Sequence, residues 1–240
     1  MLKPIQVILT VFTIVGICTT GCADAQDNLS WQMEFGMSER ILEPTGRNEF
    51  FILEPGFQLV LRGSTGVSGT TNERLEITVL DETREVDGVI TRVVEEREWK
   101  NDELYEVARN FFAIDNETGD VFYFGEEVDF YKDGEIVSHK GAWIAGNNDA
   151  TAGLIMPGDP KVGMMYYQEL APNVAMDRAE IISIDEIFKT PAGEFSNCLK
   201  IKEGTALKPK VIEYKTYAPG IGLIQDEKLL LTKHGFVEEY

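Results

Sequence analysis

The chain has little of what most often carries chemistry. Its 240 residues hold 2 histidines and 3 cysteines, and Cys18 and Cys22 both fall in an N-terminal stretch that reads as a leader. Cys198 is then the thiol left to the fold, which excludes an intramolecular disulfide and a cysteine-based four-ligand zinc site. It lies in the strand-like run 195–202, where a free cysteine packs as a small hydrophobe. His139 and His234 are too few for a histidine-rich metal centre. Positive charge is scarce as well, with 22 Lys and Arg against 41 Asp and Glu for a net charge of −19. Such a surface repels nucleic acid and anionic membrane and favours cationic or neutral partners. Helix signals are nearly absent. The segment 28–40, with Trp31 and Phe35 at near-helical spacing, is the one candidate, and it reads equally well as an opening strand. There is no internal repeat and no recognised catalytic or cofactor motif.

What is present begins at the N-terminus. Lys3 precedes an apolar run from Ile5 to Cys18, followed by small residues to Ala25. That run is too short to span a bilayer and has the layout of a secretory signal. Ala23-Asp24-Ala25 is a small-x-small cleavage site that would release a soluble chain starting at Gln26. Thr20-Gly21-Cys22 alternatively resembles the end of a lipobox, in which Cys22 would carry a lipid anchor. Loss of residues 1–25 removes one basic and one acidic residue, so the acidic excess is unchanged. Residues 26–240 suit one domain, located in the periplasm or outside the cell and touching membrane only through an anchor at Cys22.

The body of the chain is patterned as an all-β, antiparallel meander. From Leu75 onward, turn signals recur at the spacing of short strands. Asp87-Gly88 and Asp133-Gly134 are hairpin dipeptides, and they separate strands expected at 74–80, 90–99, 104–114, 121–131 and 136–139. A second set is expected at 164–170, 179–188, 195–203, 211–218 and 223–231. So many twisted strands do not stay flat, so the sheet should curl into a half-barrel or split into two layers.

Two stretches in the second set, Phe188-Lys-Thr-Pro-Ala-Gly-Glu-Phe195 and Tyr214-Lys-Thr-Tyr-Ala-Pro-Gly-Ile-Gly-Leu-Ile224, resemble the C-terminal signature of uncharacterised exported bacterial β proteins. That group is in turn distantly similar to the LolA/LolB-like lipoprotein-carrier half-barrels. The resemblance spans roughly residues 75–232. It implies a curved sheet whose concave face can hold an apolar ligand.

Aromatic residues fall on both faces of neighbouring strands, so both faces need cover other than water. Phe112, Phe122, Phe124, Trp143 and Met156 are the candidate ligand-binding residues, with Trp143 at the cavity rim and the Gly-rich segment 146–163 as a lid. In Glu95-Glu96-Arg97-Glu98, alternation puts Glu96 and Glu98 on one face and Glu95 with Arg97 on the other. A solvated face or cross-strand ion pairs account for this run. Asp115, Asp120, Glu127 and Asp129 are oxygen donors of the type calcium accepts, although Asp115 to Asp120 lacks the full EF-hand pattern. His139 is the weak candidate for a general base. No cofactor is expected, with calcium the one ion these stretches allow. The leading expectation is a non-enzymatic module holding an apolar or amphiphilic ligand. A carboxylate and His139 hydrolase or lyase and a calcium-dependent surface module are the alternatives.

Overall fold

The computed structural model describes residues 31–65 and 69–237. The leader, Cys22 and the Gln26 terminus lie outside them. After a 3-10 turn (Met37–Glu39) come β1 (Leu42–Glu43) and a small separate hairpin, β2 (Gly46–Asn48) with β3 (Phe51–Leu53). The first meander is β4 (Phe57–Thr65), β5 (Thr71–Val86), β6 (Val89–Lys100), β7 (Glu103–Asp115) and β8 (Val121–Lys132). Short strands β9 (Glu135–Ser138), β10 (Trp143–Ile144), β11 (Thr151–Met156), β12 (Met165–Tyr167) and β13 (Glu169–Leu170) follow. The second meander is β14 (Asp177–Thr190), β15 (Gly193–Thr205), β16 (Lys208–Ala218), β17 (Gly222–Asp226) and β18 (Leu229–Phe236).

The hairpins form where the residues permit left-handed backbone. Asp87 and Gly88 have φ of 50° and 78°, Asn101 and Asp102 have 52° and 68°, and Asp133 and Gly134 have 53° and 80°. In each case two residues connect directly paired strand ends, as in Val86 opposite Val89. Positive φ at both central positions matches the twist of the flanking strands. The stretch 223–231 is two strands and not the single one expected, because Glu227 takes a φ of 50° and reverses the chain between Asp226 and Leu229. Residues 31–41 form neither the expected helix nor a strand of the sheet, apart from one bridge from Gln32 to Tyr166.

Pairing runs β12-β14-β15-β16-β17-β18-β4-β5-β6-β7-β8-β11-β13. Sequential neighbours account for each meander. The long-range pairing of β18 with β4, from Leu230 opposite Arg62 to Phe236 opposite Phe57, joins the two. The two ends of this order, β12 and β13, are separated in the chain by Gln168 alone. The sheet is therefore an almost closed barrel whose seam is crossed by a single residue. Gln168 is buried, its backbone N–H donates to Asp177 O at 2.8 Å, and its side-chain amide donates to Glu203 Oε1 at 2.9 Å. Gly153 sits against this crossing, and a Cβ there would come within 2.3 Å of Gln168 O.

The N-terminal segment covers part of the outside. Phe35 packs edge-on against Phe122 at 6.0 Å, and the Arg40 guanidinium lies 4.6 Å from the same ring. Arg40 also bridges Asp115 and Asp120, each at 2.8 Å. The chain then passes Arg92, a buried cation whose guanidinium donates to the carbonyls of Pro44, Leu80 and Glu82 and to the Thr45 hydroxyl. These contacts hold the irregular stretch of β5 between Val79 and Thr83. Hairpin β2–β3 then lies across one end of the barrel. Asn48 fixes it there, donating to Gly119 O and Pro157 O at 2.8 and 2.9 Å and accepting from its own Phe50 N–H.

Candidate functional site

Barrel closure turns the concave face into a chamber, and the sequence of inward positions along each strand sets its character. On β6 the inward residues run Val94, Glu96, Glu98; on β7, opposite them, Asn110, Ala108, Glu106, with Phe112 one step nearer the plugged end; on β16, Tyr217, Lys215, Glu213. These three strands thus pass from apolar or aromatic at the plugged end to charged, mostly acidic, toward the other. The plugged end has a floor made from Phe50, Phe51 and Ile52 of the hairpin, facing Leu59, Val79 and Leu223 of the wall. Phe51 meets Phe112 edge-on at 5.1 Å, and Phe112 stacks on Tyr123 at 4.7 Å. The cavity between these side chains is about 100 Å³ and partly open to solvent, smaller than a typical drug-sized ligand site. Glu96 and Lys215 close its upper side.

Above the floor lies a belt of carboxylates from most of the barrel strands. Lys215 on β16 pairs with Glu203 at 3.0 Å and faces Asp226 and Glu96. Glu126, Glu169 and Asp177 continue the belt around the seam. Near the mouth, Lys100 pairs with Glu98 at 3.1 Å, beside Glu106. Acids outnumber bases here, and the low-dielectric walls disfavour their charged forms. Burial, partly countered by Lys215 and reinforced by Asp226 and Glu106, raises Glu96 to about 7. Burial and then the charge of Glu98 raise Glu106 to about 7. Burial with the charge of Glu96 raises Glu126 to about 8, and Glu169 is pushed well above the usual carboxylate range by burial and then Asp177. Glu126 is thus mostly protonated at neutral pH. It shares a hydrogen bond with the Tyr123 hydroxyl, which donates on to Asn110 Oδ1 at 2.5 Å.

The ligand-binding residues expected from sequence separate. Phe112 lines the floor. Phe122 is fully buried under Phe35 and Arg40 on the outer side of the wall, and Phe124 and Met156 are also buried core residues. Trp143 is not at a rim: it is buried, 5.4 Å from Tyr123, with its indole N–H unpartnered. It enters through β10, which crosses β8 at Gly125, where φ is 133° and a Cβ would meet Trp143 O at 2.3 Å. The segment expected as a lid contains β11, a wall strand carrying buried Leu154 and Met156. Glu96 and Glu98 do share a face, but it looks into the chamber and not into bulk solvent.

The candidate calcium ligands do not converge. Asp115 and Asp120 share Arg40, Glu127 pairs with Arg84, and Asp129 accepts from His139 at 2.7 Å. Among the described residues no group of three or more His, Cys, Asp or Glu is arranged to hold a metal ion. His139 is largely exposed and its Nδ1 also lies 3.0 Å from Val128 O. Cys198 is buried in the core with its thiol pushed up by burial. The belt residues Glu106, Glu126, Glu169, Glu203 and Lys215 were missed as a group. Their inward parity could have been read from strand alternation, but their convergence depends on closure.

No family model matches the chain, and no curated protein matches it. Among solved structures, it is similar to a "putative lipoprotein" from Parabacteroides distasonis at 13% identity, with a TM-score of 0.33, covering 79% of this chain and 100% of that one. A likeness of that size says nothing about ligand or location.

Proposed function

We propose that the protein is a non-enzymatic binding module whose barrel holds the apolar part of an amphiphilic small molecule. The carrying observation is the aromatic floor around Phe51, Phe112 and Leu223, a space bounded by apolar side chains and open toward a polar belt. Each methylene buried there gains about 0.8 kcal/mol, which offsets part of the cost of ordering the ligand. The single ionisable edge of the floor, Glu96 with Lys215, suits a ligand with a polar end. The leader-like N-terminus supports action outside the cytoplasm, with or without an anchor at Cys22, and the net charge of −19 argues against nucleic acid as partner.

The test is titration of the purified protein with the neutral fluorophore N-phenyl-1-naphthylamine. Saturable enhancement at micromolar protein is expected, together with its loss in Leu223→Trp, which fills the floor. Circular dichroism of the variant checks that the barrel is intact. Absence of saturation in the wild-type protein, or equal enhancement by Leu223→Trp, overturns the reading.

A further inference from the structure

The belt above the floor tells what the polar end of the ligand is. Around the chamber, Glu96, Glu126 and Glu169 approach from three different wall segments, while Lys215 is already engaged by Glu203 at 3.0 Å. Glu126 has the Tyr123 hydroxyl, but the acids outnumber the bases here, unlike the outer carboxylates, which take Arg40 and Arg84. Two observations independent of the charges point to a guest. One is the cavity itself, whose upper edge is Glu96. The other is Tyr166, fully buried, its hydroxyl unpartnered and set beside Glu203 at the inner end of the belt.

The acids are spread around a wide ring and not gathered into a coordination shell. A compact divalent ion would need them at bond distance, whereas an alkylammonium needs only an acidic surround and aromatic faces. Tyr217, which lines the cavity beside Lys215, offers such a face next to the belt. An anionic amphiphile would enter the same field at a cost, with the nearby cations Lys215 and Lys100 already paired with Glu203 and Glu98.

We infer that the chamber selects an amphiphile bearing an ammonium group, seated with its apolar body on the Phe51 and Phe112 floor and its cation among Glu96, Glu126 and Glu169. This rests on the binding-module reading above and specifies the ligand class of the same site. The test compares decylammonium, decanol and decanoate as competitors of N-phenyl-1-naphthylamine at mildly alkaline pH, each below its aggregation concentration. Decylammonium should displace the probe at least about tenfold more tightly than decanol, and decanoate more weakly than decanol. In a Glu96→Gln/Glu126→Gln variant, the ratio of decylammonium to decanol affinity should fall several-fold, and an unchanged ratio overturns the assignment. Equal affinities for decylammonium and decanol in the wild-type protein, or decanoate as the tightest, overturn the ammonium assignment while leaving the module reading intact. Failure of all three to displace a saturably bound probe overturns the assignment too; failure of the probe itself to bind removes the module reading beneath it.

Discussion

The acids on the outer wall and those in the chamber are the same residue types in opposite situations. Outside, Asp115 accepts from the backbone N–H groups of Glu117 and Thr118 and from Arg40, and its pKa is lowered despite partial burial. Inside, Glu96, Glu106 and Glu126 are surrounded by wall and by one another, and theirs are raised to about 7, 7 and 8. The outer acids help hold the N-terminal segment on the barrel. The inner acids oppose folding once ionised, a cost that stability alone gives no reason to keep.

Four measurements sharpen that contrast, from the largest effect down. Lys215→Met removes the base at the centre of the belt and leaves Glu203 facing Asp226 and Glu96. A loss of about 3 kcal/mol is expected in urea unfolding at neutral pH, with much of it recovered in acid as the carboxylates protonate. Arg40→Ala strands Asp115 and Asp120 and should cost about 2 kcal/mol at neutral pH, shrinking as pH falls and Asp115 takes up its proton. Here the folded-state pKa is depressed, so the stabilisation is present above the unfolded value and disappears on acidification. The belt has the opposite sign. With folded pKa values raised to about 7 and 8 over an ordinary carboxylate value near 4.5, its contribution is best below the unfolded value and declines as pH rises through the folded ones. Glu126→Gln should therefore raise the melting temperature by roughly 2–4 °C at pH above about 8 and leave it unchanged near about pH 4; destabilisation at alkaline pH would contradict the chamber electrostatics. Least affected should be Arg84→Ala, whose partner Glu127 is exposed, with a change of about 0–1 kcal/mol.

How much of this was legible in the sequence follows the same division between local and distant. Asp87-Gly88 and Asp133-Gly134 announce their hairpins because two-residue turns demand positive φ, and the antiparallel meander with its curl was readable from them. Alternation correctly put Glu96 with Glu98 and Glu95 with Arg97, and Arg97 does pair with Glu95 at 2.6 Å. Alternation says which residues share a face, however, and not which face is inside. That depended on β18 finding β4 across more than half the chain, and on the hairpin at 46–53 plugging one end. The run Phe50-Phe51-Ile52-Leu53 has no period-two pattern to mark it as a separate element. Aromatics on both faces were a sound sign that both needed cover, yet Phe122 and Phe112 turned out to face opposite sides of one wall, one under Phe35 and one in the chamber.

The crossing at Gln168 also bears on how the molecule behaves in a crowd. An open sheet of this many strands would present two long rows of unpaired N–H and C=O groups, ready to recruit another chain. Here the terminal strands are β12, with 3 residues, and β13, with 2, and Gln32 already bonds to the backbone of Met165 and Tyr167 on the first of them. Neither of these two strands is long enough to template a strand from a neighbour, and Gly163 and Met164 extend the cover of β14 to Ile181. Closure thus confines the open edge to the far part of β14, beyond Ile181, where Ile184 and Ile187 are exposed.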